Sequence, residues 1–410
     1  MLEPASADEA AEMLAFAQEQ GLCVAPIGGG TRRAARCPPR GIDLLLSTAR
    51  LNRVIEYVPA DFVITAQSGV TLAQLREVTA PKGQWLALDP PAAAASTLGG
   101  ALSADASGPH RYLYGTSRDL VVGIEAVLPR GDVIRSGGRV VKNVAGYDLK
   151  KLFLGALGSL GVITSVSLKL HAIPEDETLI MASFPDYEAA GQATAALLRA
   201  GFELAALDLL NRDALEALGA EGLPEDTRCG LLLSLVGSRQ SNEAQASEIA
   251  ILCARSGSLA TRAQRGEVCR DMWLRLGNLC LPAAANGAGG RRVAARLSAP
   301  LRACAAMALR AETLLAPRMP LHLVARAGNG VIFLYFDSPS PDAAAEGLRA
   351  LRGEAIALGG SLVLEAAPAA LRSKLDGPGA SVAALPLHQR IKDAFDPDET
   401  LLPGYFAGTP

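Results

Sequence analysis

The sequence predicts an α+β protein with two domains. Short apolar, strand-like runs alternate with helical segments along the whole chain. A chain of 410 residues is longer than one hydrophobic core normally serves, so more than one domain is expected. The pattern changes near residue 174, because glycine-dense loops give way to longer helices that alternate with apolar strands. We therefore predict domains over 1–173 and 174–410.

The first domain begins with a helix. Ser6 followed by Glu9 is a capping-box pattern, and residues 7–20 are good helix formers. A short strand over 22–25 then leads into a glycine loop at 26–31. The remaining predicted elements are strands at 44–47, 54–58 and 62–67, a helix capped by Thr71 and Gln74 through Val78, a strand at 85–88, a hairpin of 120–128 with 133–136, and a strand at 162–170.

The second domain follows a predicted linker at 174–177. The dipeptide Asn329-Gly330 predicts a two-residue hairpin turn, and a closing helix over 387–394 stops before Pro397. The other predicted elements are helices at 188–199, 242–255, 301–314 and 342–357 and strands at 231–236, 321–326, 331–336 and 361–365.

Composition excludes several classes of function. A net charge of −3 provides no basic field for a nucleic acid. The sequence has no uninterrupted run of about 18 apolar residues, so no integral membrane segment is expected. Residues 1–10 are acidic and carry no Lys or Arg, unlike a secretory signal, so we expect a cytoplasmic protein. The seven cysteines lack C-x-x-C spacing, which argues against zinc or iron–sulfur ligation.

Glycine-dense loops are the main chemical signal of the first domain. Glycines let backbone N–H groups approach an anion closely, and successive N–H groups form a concave site for phosphate oxygens. The loop at 28–31 fits neither G-x-G-x-x-G nor Gly-Lys-Ser/Thr, which argues against an NAD-type Rossmann domain and a P-loop nucleotidase. Alone, it is more typical of an ordinary tight turn. Three such loops in one domain favour a diphosphate cofactor.

Five motifs of the first domain follow one another in a fixed order. They are Pro26-Ile-Gly-Gly-Gly-Thr31, Ser96-Thr-Leu-Gly-Gly100 with Ala106-Ser-Gly108, Tyr114-Gly-Thr-Ser-Arg-Asp119, Lys142-Asn-Val-Ala-Gly-Tyr-Asp-Leu149 and Gly155-Ala-Leu-Gly-Ser-Leu-Gly-Val-Ile-Thr164. In this order they resemble the FAD-binding domain of the vanillyl-alcohol-oxidase (PCMH-type) flavoproteins, and the resemblance covers about residues 2–173. The C-terminal sequences Arg390-Ile-Lys-Asp-Ala-Phe-Asp-Pro397 and Leu402-Pro-Gly404 extend it towards the E-subunit family of bacterial glycolate oxidases.

The resemblance implies two α+β subdomains with FAD between them, followed by a C-terminal α+β cap-like domain whose residues 385–410 return towards the FAD domain. Some relatives bond flavin to a His in the first loop. Here Thr31 and Arg32 follow Gly30, so non-covalent FAD is expected. The implied cofactor-binding residues are Pro26, Gly28, Gly29, Gly30, Thr31, Thr97, Gly99, Gly100, Ser107, Gly108, Gly158, Gly161, Val162 and Ile163.

Catalytic residues are not assigned from the sequence. Catalytic relatives carry a His-Ala-Gly-Asp-Gly-Asn-x-His element that binds a metal and substrate, and the counterpart here is Arg326-Ala-Gly-Asn-Gly-Val-Ile-Phe333. Without those histidines we expect no metal site. Arg326 suits a substrate carboxylate or solvent equally well, and His322 is interpreted as a packed strand residue. His110, near the cofactor loops, is interpreted as a surface loop residue.

The resemblance therefore implies the FAD-binding subunit of a glycolate (2-hydroxy acid) oxidase or dehydrogenase. Its implied partners are a homologous catalytic D-type flavoprotein and an iron–sulfur F-type subunit, which together with this chain oxidise glycolate to glyoxylate. Peripheral attachment to the inner face of the cell membrane through these partners stays open. The alternatives are a stand-alone FAD-dependent 2-hydroxy acid oxidoreductase and a structural subunit that has lost FAD.

Overall fold

The computed structural model describes residues 1–31, 41–138, 147–279, 292–375 and 385–404. These residues form two compact units. Within the described parts, the first unit combines residues 1–173 with the C-terminal segment 385–404, and the second comprises residues 174–375. Both units mix helices with antiparallel sheets, which confirms the predicted α+β class.

The first unit begins with a helix that ends where the sequence predicts. The Ser6 hydroxyl accepts the N–H of Glu9 at 3.1 Å, and Gly21 after the helix has a φ of +64°. Up to residue 173, its helices are α1 (Ala7–Glu19), α2 (Leu72–Thr79), α3 (Leu98–Ser103), α4 (Arg111–Tyr114), α5 (Ser117–Leu120) and α6 (Lys150–Phe153). Its strands are β1 (Val24–Ile27), β2 (Leu44–Ser47), β3 (Val54–Val58), β4 (Val63–Gln67), β5 (Gln84–Trp85), β6 (Val121–Val127), β7 (Val133–Gly137), β8 (Val162–Lys169) and β9 (His171–Ala172).

Two sheets organise this unit. An antiparallel sheet of the order β3-β4-β8-β6-β7 supports α2 and α3 through a core that includes Leu75, Leu102 and Val166. Strands β1 and β2 pair in parallel, and α1 packs beside them through Leu14 and Leu46. The ends of β1 and β2 and the start of β8 border one cavity.

The second unit contains an antiparallel sheet of the order β13-β10-β12-β11-β15-β16-β14-β17, counted over its described residues. Its strands are β10 (Asp176–Phe184), β11 (Leu204–Asn211), β12 (Cys229–Gly237), β13 (Ala260–Arg265), β14 (Arg292–Ser298), β15 (Leu321–Arg326), β16 (Val331–Asp337) and β17 (Ser361–Ala366). Its helices are α7 (Tyr187–Ala200), α8 (Arg212–Ala217), α9 (Arg239–Arg255), α10 (Glu267–Leu279), α11 (Cys304–Leu315), α12 (Pro341–Ala357) and α13 (Ala369–Arg372).

Strand register places alternate residues on opposite faces of this sheet. Helices α7, α9, α11 and α12 pack against the sheet strands. Arg326, Phe333 and Tyr335 share a face with Val324, which packs in a core with Leu215 of α8 and Met272 of α10.

The chain closes with α14 (Leu385–Phe395), which belongs to the first unit. The Phe395 ring meets the Phe153 ring edge-on at 5.7 Å. Beyond the helix, Val24 of β1 donates its N–H to Thr400 at 2.7 Å and accepts the N–H of Leu402 at 3.0 Å. Residues 405–410 lie outside the described residues.

Some predicted boundaries are wrong. The strand predicted at 22–25 is β1 at 24–27, and Pro26 is tolerated because Val24, not Pro26, makes the bonds between this edge of β1 and residues 400–402. The predicted linker at 174–177 is wrong in its second half, since β10 begins at Asp176. The predicted two-residue turn is a four-residue loop at 327–330, because Arg326 pairs with Val331.

Candidate functional site

A cavity in the first unit is bordered by three loops that follow or precede strands. Small residues and backbone dominate its lining, and hydroxyl groups and a few apolar side chains complete it. Its lining residues are Pro26, Ile27, Gly28, Gly29, Gly30, Thr31, Thr48, Thr97, Gly99, Gly100, Ser103, Ala104, Leu157, Gly158, Gly161, Val162 and Ile163. We call it the glycine cavity.

The first wall is the loop that continues β1. Thr48, just after β2, donates its N–H to the Ile27 carbonyl at 2.9 Å and so extends the parallel pairing into this loop. A Cβ on Gly28 would lie 2.1 Å from the Thr97 hydroxyl, and one on Gly29 would lie 2.2 Å from the Ala95 carbonyl. The close approach of two loops therefore requires glycine at both positions.

The second wall is the segment 96–104, which includes α3, and Thr97 connects it to the first wall. Its Oγ1 accepts the N–H of Gly29 at 3.2 Å and that of Gly100, in the first turn of α3, at 3.3 Å. The Thr31 hydroxyl lies 3.3 Å from the Ser96 hydroxyl. These hydroxyl contacts hold the two loops at a fixed spacing.

The third wall is the loop that precedes β8. Gly158 has a φ of +83°, and a Cβ there would lie 3.2 Å from Pro26 Cγ, so this wall touches the first. A Cβ on Gly161 would lie 2.9 Å from both the Val127 carbonyl and the Phe153 ring. Glycine is thus required here by packing as well as by backbone conformation.

The glycine cavity brings together most of the residues that the resemblance implies. Its lining contains Pro26, Gly28, Gly29, Gly30, Thr31, Thr97, Gly99, Gly100, Gly158, Gly161, Val162 and Ile163. Arg32 and residues 142–146 of the fourth motif lie outside the described residues. The position of FAD itself against this lining stays a prediction.

Ser107 and Gly108 do not line the cavity. Gly108 donates its N–H to Asp89 Oδ1 at 2.9 Å, and Asp89 Oδ2 lies 2.6 Å from His110 Nδ1. The Ser107 hydroxyl accepts a hydrogen bond from Arg111 at 3.2 Å. This segment is therefore fixed by its own side-chain contacts, and its contact with FAD stays a prediction.

Sequence reasoning missed five lining residues. They are Ile27, Thr48, Ser103, Ala104 and Leu157. Thr48 could have been found, because it follows β2, and a strand parallel to β1 ends beside the first glycine loop. Ile27 and Leu157 adjoin predicted residues in sequence, whereas Ser103 and Ala104 come at the end of α3, the short helix that also contains Gly99 and Gly100.

The donor set of the glycine cavity fits the adenosine diphosphate part of FAD. Among the described residues that line it, none carries a charge. Backbone N–H groups of glycine loops bind phosphate oxygens, and hydroxyl groups such as that of Thr31 add donors. Val162 and Ile163 give the lining an apolar part, as contact with an adenine ring would require.

The second unit contains the counterpart of the relatives' metal-binding element. Arg326 is 4% exposed and forms an ion pair with Asp208, which is 1% exposed. The guanidinium lies 5.7 Å from the centre of the Phe333 ring, which stacks on Tyr335 at 6.3 Å. Of the two alternatives for Arg326, solvent contact is wrong, because the side chain is buried and paired.

The histidines are held in packed surroundings. His110 is 8% exposed and contacts Asp89, so its interpretation as a surface residue is wrong. His171 meets the Tyr114 ring at 4.9 Å, and burial followed by nearby Lys169 lowers its pKa. Burial, followed by Arg292, likewise lowers the pKa of His322.

The described ranges show neither a metal-binding group nor a membrane-spanning helix. No group of three or more His, Cys, Asp or Glu side chains in these ranges is arranged to hold a metal ion. In the same part of the chain, no helix has both the length and the apolar character needed to cross a bilayer.

Comparison with protein families gives two matches. Residues 1–137 match the FAD binding domain. Residues 173–405, more than half of the chain, match the C-terminal domain of FAD linked oxidases. The chain belongs to the FAD-linked oxidases. FAD is therefore its cofactor, as the resemblance predicted.

Curated relatives of this FAD-linked oxidase include the glycolate oxidase subunit GlcD of Bacillus subtilis, which is 30% identical over 65% of this chain and 57% of that subunit. The mitochondrial D-lactate dehydrogenase (cytochrome) of Arabidopsis thaliana is 26% identical over 98% of this chain and 72% of that enzyme. The chain spans about half the length of several other curated relatives that it matches.

Solved structures confirm the fold of the FAD-linked oxidase. p-Cresol methylhydroxylase with substrate bound superposes with a TM-score of 0.76 over 99% of this chain and 88% of that chain, at 16% identity. An alkyldihydroxyacetonephosphate synthase superposes with a TM-score of 0.70 over 98% of this chain and 76% of that chain, also at 16% identity. The predicted PCMH-type architecture is therefore correct.

Proposed function

We propose that this chain is the non-covalent FAD-binding subunit of a complex that oxidises glycolate or a closely related 2-hydroxy acid. A homologous D-type flavoprotein would hold the hydroxy acid, and an iron–sulfur F-type subunit would carry the electrons away. Bound FAD supplies a hydride acceptor. The relatives named for glycolate oxidase and D-lactate dehydrogenase support this substrate class.

The glycine cavity is the observation that carries this proposal. Its three loops hold each other at distances that a Cβ on Gly28 or Gly29 would not allow. Among the described lining residues there is no His, Cys or Tyr, the side chains that could bond to flavin. This composition supports non-covalent FAD with its diphosphate against the loop of Gly28, Gly29 and Gly30.

The second unit supports a role as a non-catalytic partner. A substrate carboxylate needs an accessible cation, but Arg326 is buried and compensated by Asp208. Arg296, on the same face of the sheet, lies 3.3 Å from Glu365. We therefore assign hydroxy acid binding to the D-type partner, and we expect the complex in the cytoplasm or peripherally at the inner face of the membrane.

The stand-alone oxidoreductase is the second candidate, because relatives named as D-lactate dehydrogenases match the chain. The two candidates differ in what the isolated chain does to its flavin. A stand-alone enzyme reduces its own FAD with a hydroxy acid, whereas the subunit needs its partner.

The test is the visible absorption spectrum of the purified chain before and after acid precipitation, followed by anaerobic addition of glycolate or D-lactate. We expect flavin bands that pass into the supernatant and that neither substrate bleaches. Chemical reduction with dithionite is the control that the bound flavin can be reduced. Bleaching by either substrate would favour the stand-alone enzyme, and a colourless chain that still assembles with its partners would favour the structural subunit.

A further inference from the structure

A buried charge pair lies behind the glycine cavity, in the C-terminal segment of the first unit. Lys392 of α14 is 2% exposed and Asp396 is fully buried. The Lys392 ammonium group forms an ion pair with Asp396 and donates to the carbonyls of Ser159 and Leu401, each at 2.8 Å. Its three N–H groups therefore have three acceptors, the arrangement that makes a buried charge tolerable.

The Asp396 carboxylate is equally well satisfied. Its Oδ1 accepts the N–H of Thr400 at 2.9 Å, and its Oδ2 accepts the N–H of Leu401 at 2.8 Å. The carboxylate thus folds residues 396–401 into a turn that delivers the Leu401 carbonyl to Lys392.

The two carbonyls that Lys392 binds lead to two different walls of the cavity. Ser159 lies between Gly158 and Gly161 of the third wall. Leu401 forms a bridge with Val24, the residue that begins β1 and so leads to the first wall. Lys392 itself is not among the residues that line the cavity.

We propose that Lys392 is a positioning residue for FAD, because it fixes the first and third walls of the glycine cavity relative to each other. This inference rests on the proposed placement of FAD in that cavity. The first and third walls also touch where Gly158 meets Pro26, so they are closely packed there. Without the donor that both walls share, we expect the distance between the two walls, and with it the width of the cavity, to change.

Two variants of the full-length chain separate positioning from stability. Asp396→Asn keeps the lysine and its contact with the Ser159 carbonyl, but it removes the counter-ion and one acceptor of the turn N–H groups, so the buried charge destabilises the fold. The double variant Lys392→Met/Asp396→Asn removes both charges at nearly constant side-chain volume but leaves the carbonyls of Ser159 and Leu401 without their shared donor. We expect the single variant to be the less stable of the two and the double variant to bind FAD more weakly.

The measurement is a titration of each apoprotein with FAD, followed by quenching of flavin fluorescence well below the unfolding temperature of each variant. We expect the dissociation constant to rise about tenfold in the double variant, which loses both hydrogen bonds from the charged group to the cavity walls. In Asp396→Asn we expect a smaller rise than in the double variant, because the lysine still donates to the Ser159 carbonyl of the third wall. Hydrogen exchange of the amides at 157–161 should accelerate in the double variant only.

A matched control uses the buried pair of the second unit. Arg326→Met/Asp208→Asn also removes two buried charges, but in a unit that does not contain the glycine cavity, so the FAD dissociation constant should not change. A folded Lys392→Met/Asp396→Asn chain that binds FAD as the wild type does would overturn the positioning role. Failure of the wild-type chain to bind FAD would instead overturn the proposed function.

Discussion

In the first unit the walls of the glycine cavity consist of backbone and hydroxyl groups, whereas the sheet of the second unit carries charged side chains that pair with one another. Lys392 and Asp396 lie behind the cavity, and Arg326 and Asp208 lie on the sheet. A charged side chain can be neutralised by a neighbour on the same fold, so its presence does not indicate a ligand. Loops that require glycine at several contacts are a more specific sign of a ligand than charged side chains are, because such loops place backbone donors around a shared space.

The strongest way to break this comparison is to place a methyl group in the first wall. Gly29→Ala puts a Cβ 2.2 Å from the Ala95 carbonyl, so the first two walls must separate. We expect the FAD dissociation constant to rise about 100-fold, the scale of losing one or two hydrogen bonds to a charged diphosphate. Titration with FAD measures this change.

The matched control for that variant is a glycine with open space. Gly277 in α10 has no atom within 4 Å of its ideal Cβ. Gly277→Ala should leave FAD affinity unchanged and stabilise the helix by up to about 1 kcal/mol. Equal effects of the two substitutions on FAD affinity would contradict the role assigned to the first wall.

The second unit can be destabilised without touching the cavity. Arg326→Met leaves the Asp208 carboxylate buried without its counter-ion, so the free energy of unfolding of this unit should fall by about 3–5 kcal/mol. Trp273 lies in the second unit and Trp85 in the first, so urea unfolding of a Trp85→Phe background, followed by fluorescence, reports the second unit alone.

Arg318→Met provides the control for this loss. Arg318 pairs with Glu346 at the surface, where ion pairs contribute at most about 1 kcal/mol. A small effect of Arg326→Met, comparable to that of Arg318→Met, would show that the buried pair does not hold the sheet together.

The smallest effect concerns pH. Burial lowers the pKa of His171, so the unfolded chain binds a proton more readily than the folded chain. Its contribution to stability is complete above the ordinary histidine pKa of about 6.5 and is lost as pH falls through the lowered value. Because Trp85 pairs with His171, unfolding temperatures between pH 7 and 5, followed by Trp85 fluorescence in a Trp273→Phe background, measure this slope.

His171→Gln should flatten that decline, since glutamine cannot bind the proton. His322, whose pKa burial also lowers, offers the parallel substitution in the second unit. His322→Gln should leave unchanged the pH dependence of the unfolding temperature that Trp85 reports. If it reduced that dependence as much as His171→Gln does, the two units would not titrate independently.

Local sequence signals predicted much of the fold. Helix α2 begins at the capping box of Thr71 and Gln74, and β15 has the predicted bounds. Strand β13, with the sequence Ala-Thr-Arg-Ala-Gln-Arg, was missed because its pairing with β10 depends on backbone bonds rather than on an apolar pattern. Helix α10 was missed although Met272 and Leu276 face the core, one turn apart.

The candidate site, like the fold, could be predicted from the sequence only where the signal is local. The glycine loops were recognisable because several glycines in one loop report a local backbone requirement. The role of Lys392 depends on Ser159, which lies 233 residues earlier in the chain, and no local pattern reports such a contact. Burial of Arg326 was also invisible, because its partner Asp208 lies on a neighbouring strand 118 residues away.

The bonds between Val24 and residues 400–402 also constrain the order in which the protein can mature. During synthesis, residues 174–384 must be translated after the first strands of the first unit and before α14, which takes roughly 10–40 s at ordinary elongation rates. Over that interval β1 lacks its C-terminal neighbour and Ser159 lacks Lys392. The nascent first unit therefore gains these contacts only after residues 392–402 leave the ribosome, long after β1 and the third wall have been made.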